Sequence, residues 1–163
     1  MKMNDRYLFK AKRVDNGEWV IGYYVHTLDG DYIVKPSKST LFEEGFIIDI
    51  ILSTLCQCTG SKDKNGNLIW ENDIVDFLGH IGTVRCECGS FGIAYKETIN
   101  WEEIASNIMP ITGCENTLYA CENDNYISLW EIYWNFNDED DCLSTVEVIG
   151  NKFDNPELLE SEE

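Results

Sequence analysis

Cysteine is the residue type with the most distinctive chemistry in this 163-residue chain, and four of the seven cysteines form two closely spaced pairs. The pairs are Cys56 with Cys58 and Cys86 with Cys88. Residues two apart on a strand project to one side and thiolates suit zinc, so two such pairs could complete a tetrahedral site. Structural zinc sites more often have two or more residues between paired cysteines, and Val84 marks the face of Cys86 and Cys88 as core. We therefore expect buried thiols that pack as small apolar groups, with no metal and no other cofactor.

Proton transfer at neutral pH would depend on His26 and His80, the two histidines of the chain. His80 falls in a predicted turn, residues 79–82, where an exposed histidine is more typical than a catalytic base. The sequence has no glycine-rich phosphate loop, no helical pair of metal-binding histidines and no nucleophile elbow. Pairs of acids are uninformative in a chain with 30 of them. The sequence therefore predicts a protein that is not an enzyme.

Charge is distributed unevenly along the chain. Twelve Lys and Arg stand against 30 Asp and Glu, a formal net charge of −18, yet residues 1–64 contain nine of each sign. The remaining residues contain three basic and 21 acidic side chains. The excess is densest in a run that we consider a possible partner surface, Asp138, Glu139, Asp140 and Asp141. Such a run is typical of a solvated loop, but it could also meet a basic protein or imitate the phosphates of DNA.

Single-stranded nucleic acid is a further alternative, because small β-folds often combine aromatic and basic side chains on one face. Binding would use Arg6, Lys10, Lys12 and Lys38 together with Tyr24 or Tyr32. The net charge of −18 opposes it by long-range repulsion, and lysines on an edge strand also serve to block aggregation. We therefore consider nucleic-acid binding unlikely on charge.

The cellular context follows from cysteine usage and hydropathy. An odd number of cysteines without an apolar leader in residues 1–6 predicts reduced thiols in the cytoplasm. No stretch approaches the ~18 apolar residues of a membrane span. We expect a cytoplasmic protein, acting on no membrane, that could form a homo-oligomer.

Periodicity predicts a mainly β fold. Alternation over residues 6–13, an apolar run over 19–26 and a short run over 32–35 predict an antiparallel meander with the second strand central. The type of the apolar element at 46–52 is not fixed by pattern. After Gly60, short strands separated by Gly-containing turns, including residues 79–82, predict a small SH3-like or partly open β-barrel.

The region between residues 96 and 143 is less regular. Helical spacing over residues 101–108, followed by Pro110, predicts a short helix. Residues 126–136 are dense in aromatics and fit either a strand or a helix, and their composition favours a strand. We expect a meander subdomain over 1–58, a barrel-like subdomain over 59–155 with an insertion at about 96–143, and an acidic tail over 156–163.

The segment from residue 60 to residue 75 resembles the signature of the YopX family. The matching positions are Gly60, Lys62, Asp63, Asn65, Gly66, Ile69, Trp70, Glu71, Asp73, Ile74 and Val75. Residues 89–93, 146–151 and 154–159 match further blocks in order, so the resemblance spans nearly the whole chain; the section at about 96–143 looks longer and more acidic than is usual for the family. The resemblance implies a mainly β protein of phage or prophage origin whose biochemical function is unknown.

The signature reads as a set of fold determinants. Asn-Gly fixes a hairpin register, Ile69 and Trp70 would bury against Ile74 and Val75, and polar side chains at 71–73 would bind backbone donors at the bend. The sequence thus favours a non-enzymatic module that binds a host or phage protein. The alternatives are an acidic DNA mimic that inhibits a nucleic-acid-binding host protein, and a single-strand-binding accessory protein.

Overall fold

The computed structural model describes residues 5–35, 47–96, 99, 125–136 and 142–160. These residues form eleven β-strands and one α-helix, and the strands lie in two antiparallel sheets. The predicted mainly β class is confirmed. The chain divides into two compact units, residues 1–60 and 61–163, which are taken in turn below.

The first unit contains the predicted meander, in the strand order β4-β3-β2-β1-β5. β2 lies between β1 and β3, as its two apolar faces predicted. The apolar element at 46–52, whose type the sequence pattern did not fix, contains a short strand, β4, followed by a 3₁₀ turn at Leu52–Thr54. The strands are β1 (Phe9–Lys12), β2 (Trp19–Thr27), β3 (Gly30–Val34), β4 (Ile47–Asp49) and β5 (Cys56–Lys62), of which β5 continues into the second unit.

The first strand is shorter than the alternation from residue 6 predicted. Asp5–Tyr7 forms a 3₁₀ turn, closed by a hydrogen bond of 3.0 Å from the Leu8 amide to the Asp5 carbonyl. Leu8 is buried, and β1 begins only at Phe9. A local turn hydrogen bond therefore takes precedence over the period-2 pattern at this end.

The sheet of the first unit curls around its own core. Arg13 forms a β-bridge with Ile50, and the Ile51 amide donates to the Lys12 carbonyl at 2.8 Å, so the chain after β4 returns to β1. Side chains alternate between two faces along each strand. The inward side chains make one cluster of buried residues: Ala11, Val20, Ile33, Ile48 and Ile50, with Phe9, Tyr24 and Leu55 against it.

The second unit carries an open sheet in the order β10-β9-β8-β7-β11, and its described strands do not close into a barrel. β6 pairs with the end of β5. A 3₁₀ turn at Pro156–Leu159 follows the last strand. The elements are β6 (Leu68–Trp70), β7 (Asp73–Phe77), β8 (His80–Glu87), β9 (Ser90–Ala94), β10 (Tyr126–Ser128), α1 (Leu129–Phe136) and β11 (Val146–Asn151).

Two tight hairpins in this sheet have a left-handed backbone at both loop residues. Leu78 and Gly79 have φ of 55° and 88°, and Cys88 and Gly89 have φ of 50° and 81°. This geometry matches the right-handed twist of the flanking strands. The observed turn spans residues 77–80, so the turn predicted at residues 79–82 was misplaced by two residues, and His80 is the first residue of β8, paired with Phe77.

The aromatic stretch at 126–136 is both a strand and a helix, so the preference for a strand was wrong after Ser128. The Ser128 Oγ accepts from the Glu131 amide at 3.1 Å, and Glu131 Oε2 accepts from the Ser128 amide at 3.0 Å. This reciprocal capping box starts α1. Leu129 and Ile132 are buried, which anchors the helix to the sheet.

The core of the second unit is larger than that of the first. It joins β7, β8, β9, β10, β11 and α1 through Val75, Phe77, Val84, Phe91, Ile93, Ile127, Ile132 and Val146. The predicted helix at 101–108 and most of the predicted insertion lie outside the described residues. In the part of the chain that is described, no helix combines the length and apolarity needed to cross a bilayer.

Truncating Ile93 should destabilise the second unit, because its side chain is wholly buried in β9. We expect Ile93→Ala to lower the free energy of unfolding by about 2–5 kcal/mol, from lost burial and the cavity left behind. The matched control is Ile81→Ala on the neighbouring strand β8, where the side chain is 47% exposed and the loss should be below about 1 kcal/mol. Urea unfolding followed by tryptophan fluorescence measures both, and equal losses would contradict the core assignment.

Candidate functional site

The signature segment forms the β5–β6 hairpin, and its centre is the buried carboxylate of Asp63. Asp63 Oδ1 accepts from the backbone amides of Asn65 and Asn67 at 2.9 and 2.8 Å. The Asp63 amide donates to the Asn67 carbonyl at 2.9 Å, which closes the loop. Gly66 adopts φ of 81°, a left-handed value that a side chain would strain.

The second oxygen of Asp63 leaves the hairpin and reaches the last strand of the sheet. Oδ2 accepts from the Val148 amide of β11 at 3.1 Å and from the Asn67 side-chain amide at 3.3 Å. The Asp63 side chain has no exposed surface. Burying a carboxylate is costly unless its lone pairs are satisfied, and here four donors satisfy them. Asp63 therefore ties the signature hairpin to a strand 85 residues away.

A more exposed contact repeats the same connection. The Lys64 amide donates to the Val146 carbonyl at 2.8 Å, and Lys64 Nζ lies 2.6 Å from Glu147 Oε2. The Asn65 side chain donates to Glu147 Oε1 at 3.3 Å. The hydrogen bond from Lys64 lowers the pKa of Glu147, and that from Asn65 adds to it.

The signature ends in a tight bend stabilised by Asp73. Asp73 is buried, and its Oδ2 accepts from the Trp70 amide at 2.8 Å. Asn72 has φ of 67°, and its amide donates to the Val84 carbonyl at 2.8 Å. Glu71 is half-buried beside it. Asp63 and Asp73 of the signature thus accept from backbone donors, and the apolar members Ile69, Trp70, Ile74 and Val75 are buried.

The four candidate zinc ligands lie in two different environments. Cys56 and Cys58 are buried in β5, whereas Cys86 and Cys88 are exposed. The expectation that Cys86 and Cys88 are buried was wrong. Cys86 pairs with Phe91 of β9, which is buried, yet Cys86 itself is exposed near the end of the β8–β9 hairpin. Among the described residues, no three His, Cys, Asp or Glu side chains converge as metal ligands would.

One polar cluster was not anticipated from the sequence. Asp31 Oδ1 accepts from the Tyr24 hydroxyl at 2.6 Å and lies 2.8 Å from His26 Nδ1. The β2–β3 register places His26 directly opposite Asp31. The hydrogen bond from Tyr24, and then that from His26, lowers the pKa of Asp31. A two-residue loop between β2 and β3 was the available signal, because loop length sets hairpin register.

This cluster could orient an imidazole, since a carboxylate partner fixes the tautomer of a histidine. It lies on an open hairpin, with the His26 side chain 71% exposed. Elsewhere, burial, and secondarily the charge of Glu87, raises the pKa of Tyr126 to about 12. Its hydroxyl donates to the Ser90 carbonyl at 2.8 Å, so it joins β10 to β9.

The proposed nucleic-acid residues are only partly assembled. Lys10 and Lys12 of β1 both lie over the Trp19 ring, with Nζ 5.2 and 5.5 Å from its centroid. The Tyr24 ring packs against Phe9 on the inner face, with centroids 5.7 Å apart. Tyr32 is half-buried, Arg6 is exposed, and Lys38 lies outside the described residues. Tyr24 and the two lysines are therefore on opposite faces of the sheet.

An open groove lies in the first unit. Its volume is about 450 Å³, and its walls are Arg13, Val14, Asp15, Lys35, Ile47, Ile48 and Asp49. Arg13 contributes a charge that is already paired, since its Nη2 lies 2.5 Å from Asp15 Oδ2.

The acidic run at 138–141 lies outside the described residues. The nearest described element before that run is α1, which exposes Trp130 and Tyr133.

A comparison with known protein families gives a match that includes both the signature hairpin and its partner strand β11. The family model described as "YopX protein" matches residues 8–160. The chain belongs to the YopX family. No curated protein matches the chain. In this YopX-family chain, the signature residues at 60–75 include the buried hydrogen-bonding centre of the second unit.

Removing the Asp63 carboxylate should be among the most destabilising single changes in the chain. Asp63→Ala leaves the amides of Asn67 and Val148 without this acceptor, at ~1–3 kcal/mol for each buried donor. We expect a loss of about 3–5 kcal/mol in the free energy of unfolding. Asp76→Ala is the control, because its carboxylate accepts one turn hydrogen bond, from Gly79, and should cost ~1 kcal/mol. A loss below 1 kcal/mol at Asp63 in urea unfolding would refute this role.

The charge of Asp31 should stabilise the protein only above a certain pH. In the folded protein the pKa of Asp31 lies below its ordinary value of 3.8. At pH values near and below 3.8 the unfolded chain therefore binds more protons than the folded chain, so the free energy of unfolding rises with pH. Asp31→Asn keeps an acceptor for Tyr24 but removes the charge. We expect the deficit in melting temperature to be fully present at pH 7 and to shrink below pH 3.8, as wild-type Asp31 becomes protonated. Asp29→Asn in the same hairpin is the control, and a deficit independent of pH would contradict the assignment.

Proposed function

We propose that this YopX-family chain is a non-enzymatic interaction module that binds a basic host or phage protein through its second unit. The observation that carries the proposal is a pair of exposed aromatic side chains on α1, within the unit that holds nearly all of the net negative charge of the chain. Trp130 is 64% exposed and Tyr133 is 43% exposed.

The helix presents these two side chains as a rigid pair. Trp130 and Tyr133 are three residues apart, so they lie on neighbouring positions of the helix surface. Leu129 and Ile132, on the adjoining side of the helix, are buried in the core, and the capping box of Ser128 fixes the first turn. Exposed tryptophan and tyrosine carry a large share of the energy of protein interfaces when a partner buries them. Anchors of this kind support recognition of an apolar pocket.

The charge of the surrounding unit selects the class of partner. Residues 61–163 contain five basic and 22 acidic side chains. Two of these acids, Asp63 and Asp73, are buried in the fold. The other acids of the unit whose burial the structure describes are half-buried or exposed. A negative surface accelerates the approach of a positive partner and repels a polyanion. This supports a partner with a basic rim around an apolar pocket.

The polar groups that could serve catalysis support the same proposal. The His26 cluster stabilises an open hairpin, and Asp63 and Asp73 are committed to backbone donors. His26, Asp63 and Asp73 are therefore engaged in hydrogen bonds that hold the fold.

Affinity capture with matched variants tests the proposal. The full chain, the double variant Trp130→Ala with Tyr133→Ala, and Tyr7→Ala are each immobilised and exposed to a lysate of the bacterial host at low and high salt. Tyr7 is the control because it is an aromatic residue of the first unit that is 67% exposed. We expect the double variant to lower the affinity for the captured protein at least about tenfold, while Tyr7→Ala leaves it unchanged.

The captured protein should also be basic and should dissociate as salt rises, because screening weakens the attraction between exposed charges. Equal capture by all three chains, or capture that does not change with salt concentration, would contradict the proposal. Competition by duplex DNA distinguishes the DNA-mimic alternative: a mimic shares its binding site with DNA, whereas a partner that binds through an apolar pocket keeps this protein in the presence of DNA.

A further inference from the structure

The tip of the β8–β9 hairpin presents two thiols to solvent. Cys86 lies near the end of β8, Cys88 is the first residue of the two-residue loop that follows, and both are exposed. Cysteine is among the residue types most often buried, so two exposed cysteines two residues apart are unusual. Exposed thiols are also accessible to metal ions. The tip therefore has a chemical capacity that the packing of the sheet does not require.

The geometry of the loop does not call for a cysteine at position 88. Cys88 has φ of 50° and Gly89 has φ of 81°, so both residues of the loop are left-handed. Asn, Asp and Gly are the residues that favour this position in a two-residue hairpin loop, whereas other side chains are strained there. Cys88 thus serves the turn less well than those residues would, which favours a role for its thiol.

The two strands hold this pair of cysteines at a fixed spacing. Cys86 is paired with Phe91, a buried core residue, and Glu87 is paired with Ser90, so the ladder continues up to the loop. Each cysteine side chain has a single rotatable bond before its sulfur. Little freedom is therefore lost when both thiols of the tip bind the same ligand, and this preorganisation strengthens binding.

The spacing suits an atom placed between the two sulfurs better than a direct disulfide. An antiparallel strand rises about 3.4 Å per residue, so the Cα atoms of Cys86 and Cys88 are separated by about 6.8 Å. That value is at the upper limit for a disulfide, about 6.8 Å. A bridging metal adds two bonds of about 2.3 Å and tolerates the wider separation.

Two thiolates select a soft cation of low coordination number. Structural zinc takes four ligands, and within the described ranges no third His, Cys, Asp or Glu joins this pair. Thiolates favour Cu(I) among the soft ions, and Cu(I) is stable with two sulfur ligands in a linear arrangement. Residues 61–163 contain five basic and 22 acidic side chains, which raises the local concentration of any cation.

We propose that Cys86 and Cys88 bind a single Cu(I) ion between their two sulfurs at the tip of the β8–β9 hairpin. Each thiol releases its proton on binding, and no electron is transferred because copper enters and stays as Cu(I). This site departs from the sequence-based expectation of buried, metal-free thiols. It does not involve the aromatic pair of α1, so the partner-binding proposal and this one can fail separately.

Competition with bicinchoninate, a chelator whose Cu(I) complex is coloured, tests the proposal. The full chain is titrated with Cu(I) in the absence of oxygen and of added thiols, and it should withdraw one equivalent of copper from the chelator. Cys88→Ser should lower the affinity about 100-fold or more, because the remaining thiolate loses the benefit of a second ligand held beside it. Cys86→Ser should have the same effect. Circular dichroism checks that each variant is folded.

The other cysteines of the chain supply the controls. Cys142→Ser, and Cys114→Ser with Cys121→Ser, should leave the affinity unchanged. Cys56→Ala with Cys58→Ala removes a pair of the same spacing that is buried, and it should also retain copper. X-ray absorption of the copper-loaded chain should show two sulfur neighbours around the metal and no nitrogen or oxygen.

A chain that withdraws no copper from bicinchoninate overturns the proposal. So does copper binding that survives Cys88→Ser in a folded chain, or that is lost in any of the control variants. Sedimentation in the presence of Zn²⁺ examines the alternative in which two copies share one metal. A zinc-linked dimer that requires Cys86 and Cys88, with no binding of Cu(I) by the monomer, would assign the hairpin tip to a metal bridge between chains instead.

Discussion

The second unit depends on one buried carboxylate, that of Asp63. A charged group without solvent is stable only where donors surround it, and the donors here come from the signature loop and from β11, 85 residues later. The signature hairpin can therefore satisfy all the acceptors of Asp63 only when β11 lies beside it, and β11 is in turn paired with β7. This mutual dependence gives a physical reason for a signature rich in turn residues, acids and core positions.

The same requirement separates acids that build the fold from acids that define the surface. Asp63 and Asp73 are buried against backbone amides, while Glu147 is held by Lys64 at the rim of the same sheet. The remaining acids of the second unit that the structure describes are half-buried or exposed. The first unit is nearly neutral and exposes an apolar face instead. The proposed function follows this division, with a basic partner at the acidic unit.

Sequence reasoning succeeded where the signal was local. The β1–β3 meander and the burial of Ile69, Trp70, Ile74 and Val75 followed from turn residues and alternation. It failed where two local signals competed: the aromatic stretch looked strand-like, yet the Ser128–Glu131 capping box started a helix within it. For the hairpin at Cys86, the predicted face of each side chain was right. The alternation does not indicate at which residue of β8 the side chains cease to be buried.

The sequence alone determined the mainly β class, the family and the uneven distribution of charge, because turn chemistry, side-chain alternation and composition are properties of neighbouring residues. Only the tertiary structure decided that Asp63 binds Val148, that His26 faces Asp31, and that the chain after β4 returns to β1. Each of these depends on which strands pair and in which register. Register is a property of the whole sheet, set by packing over many residues, so short stretches of sequence do not contain it.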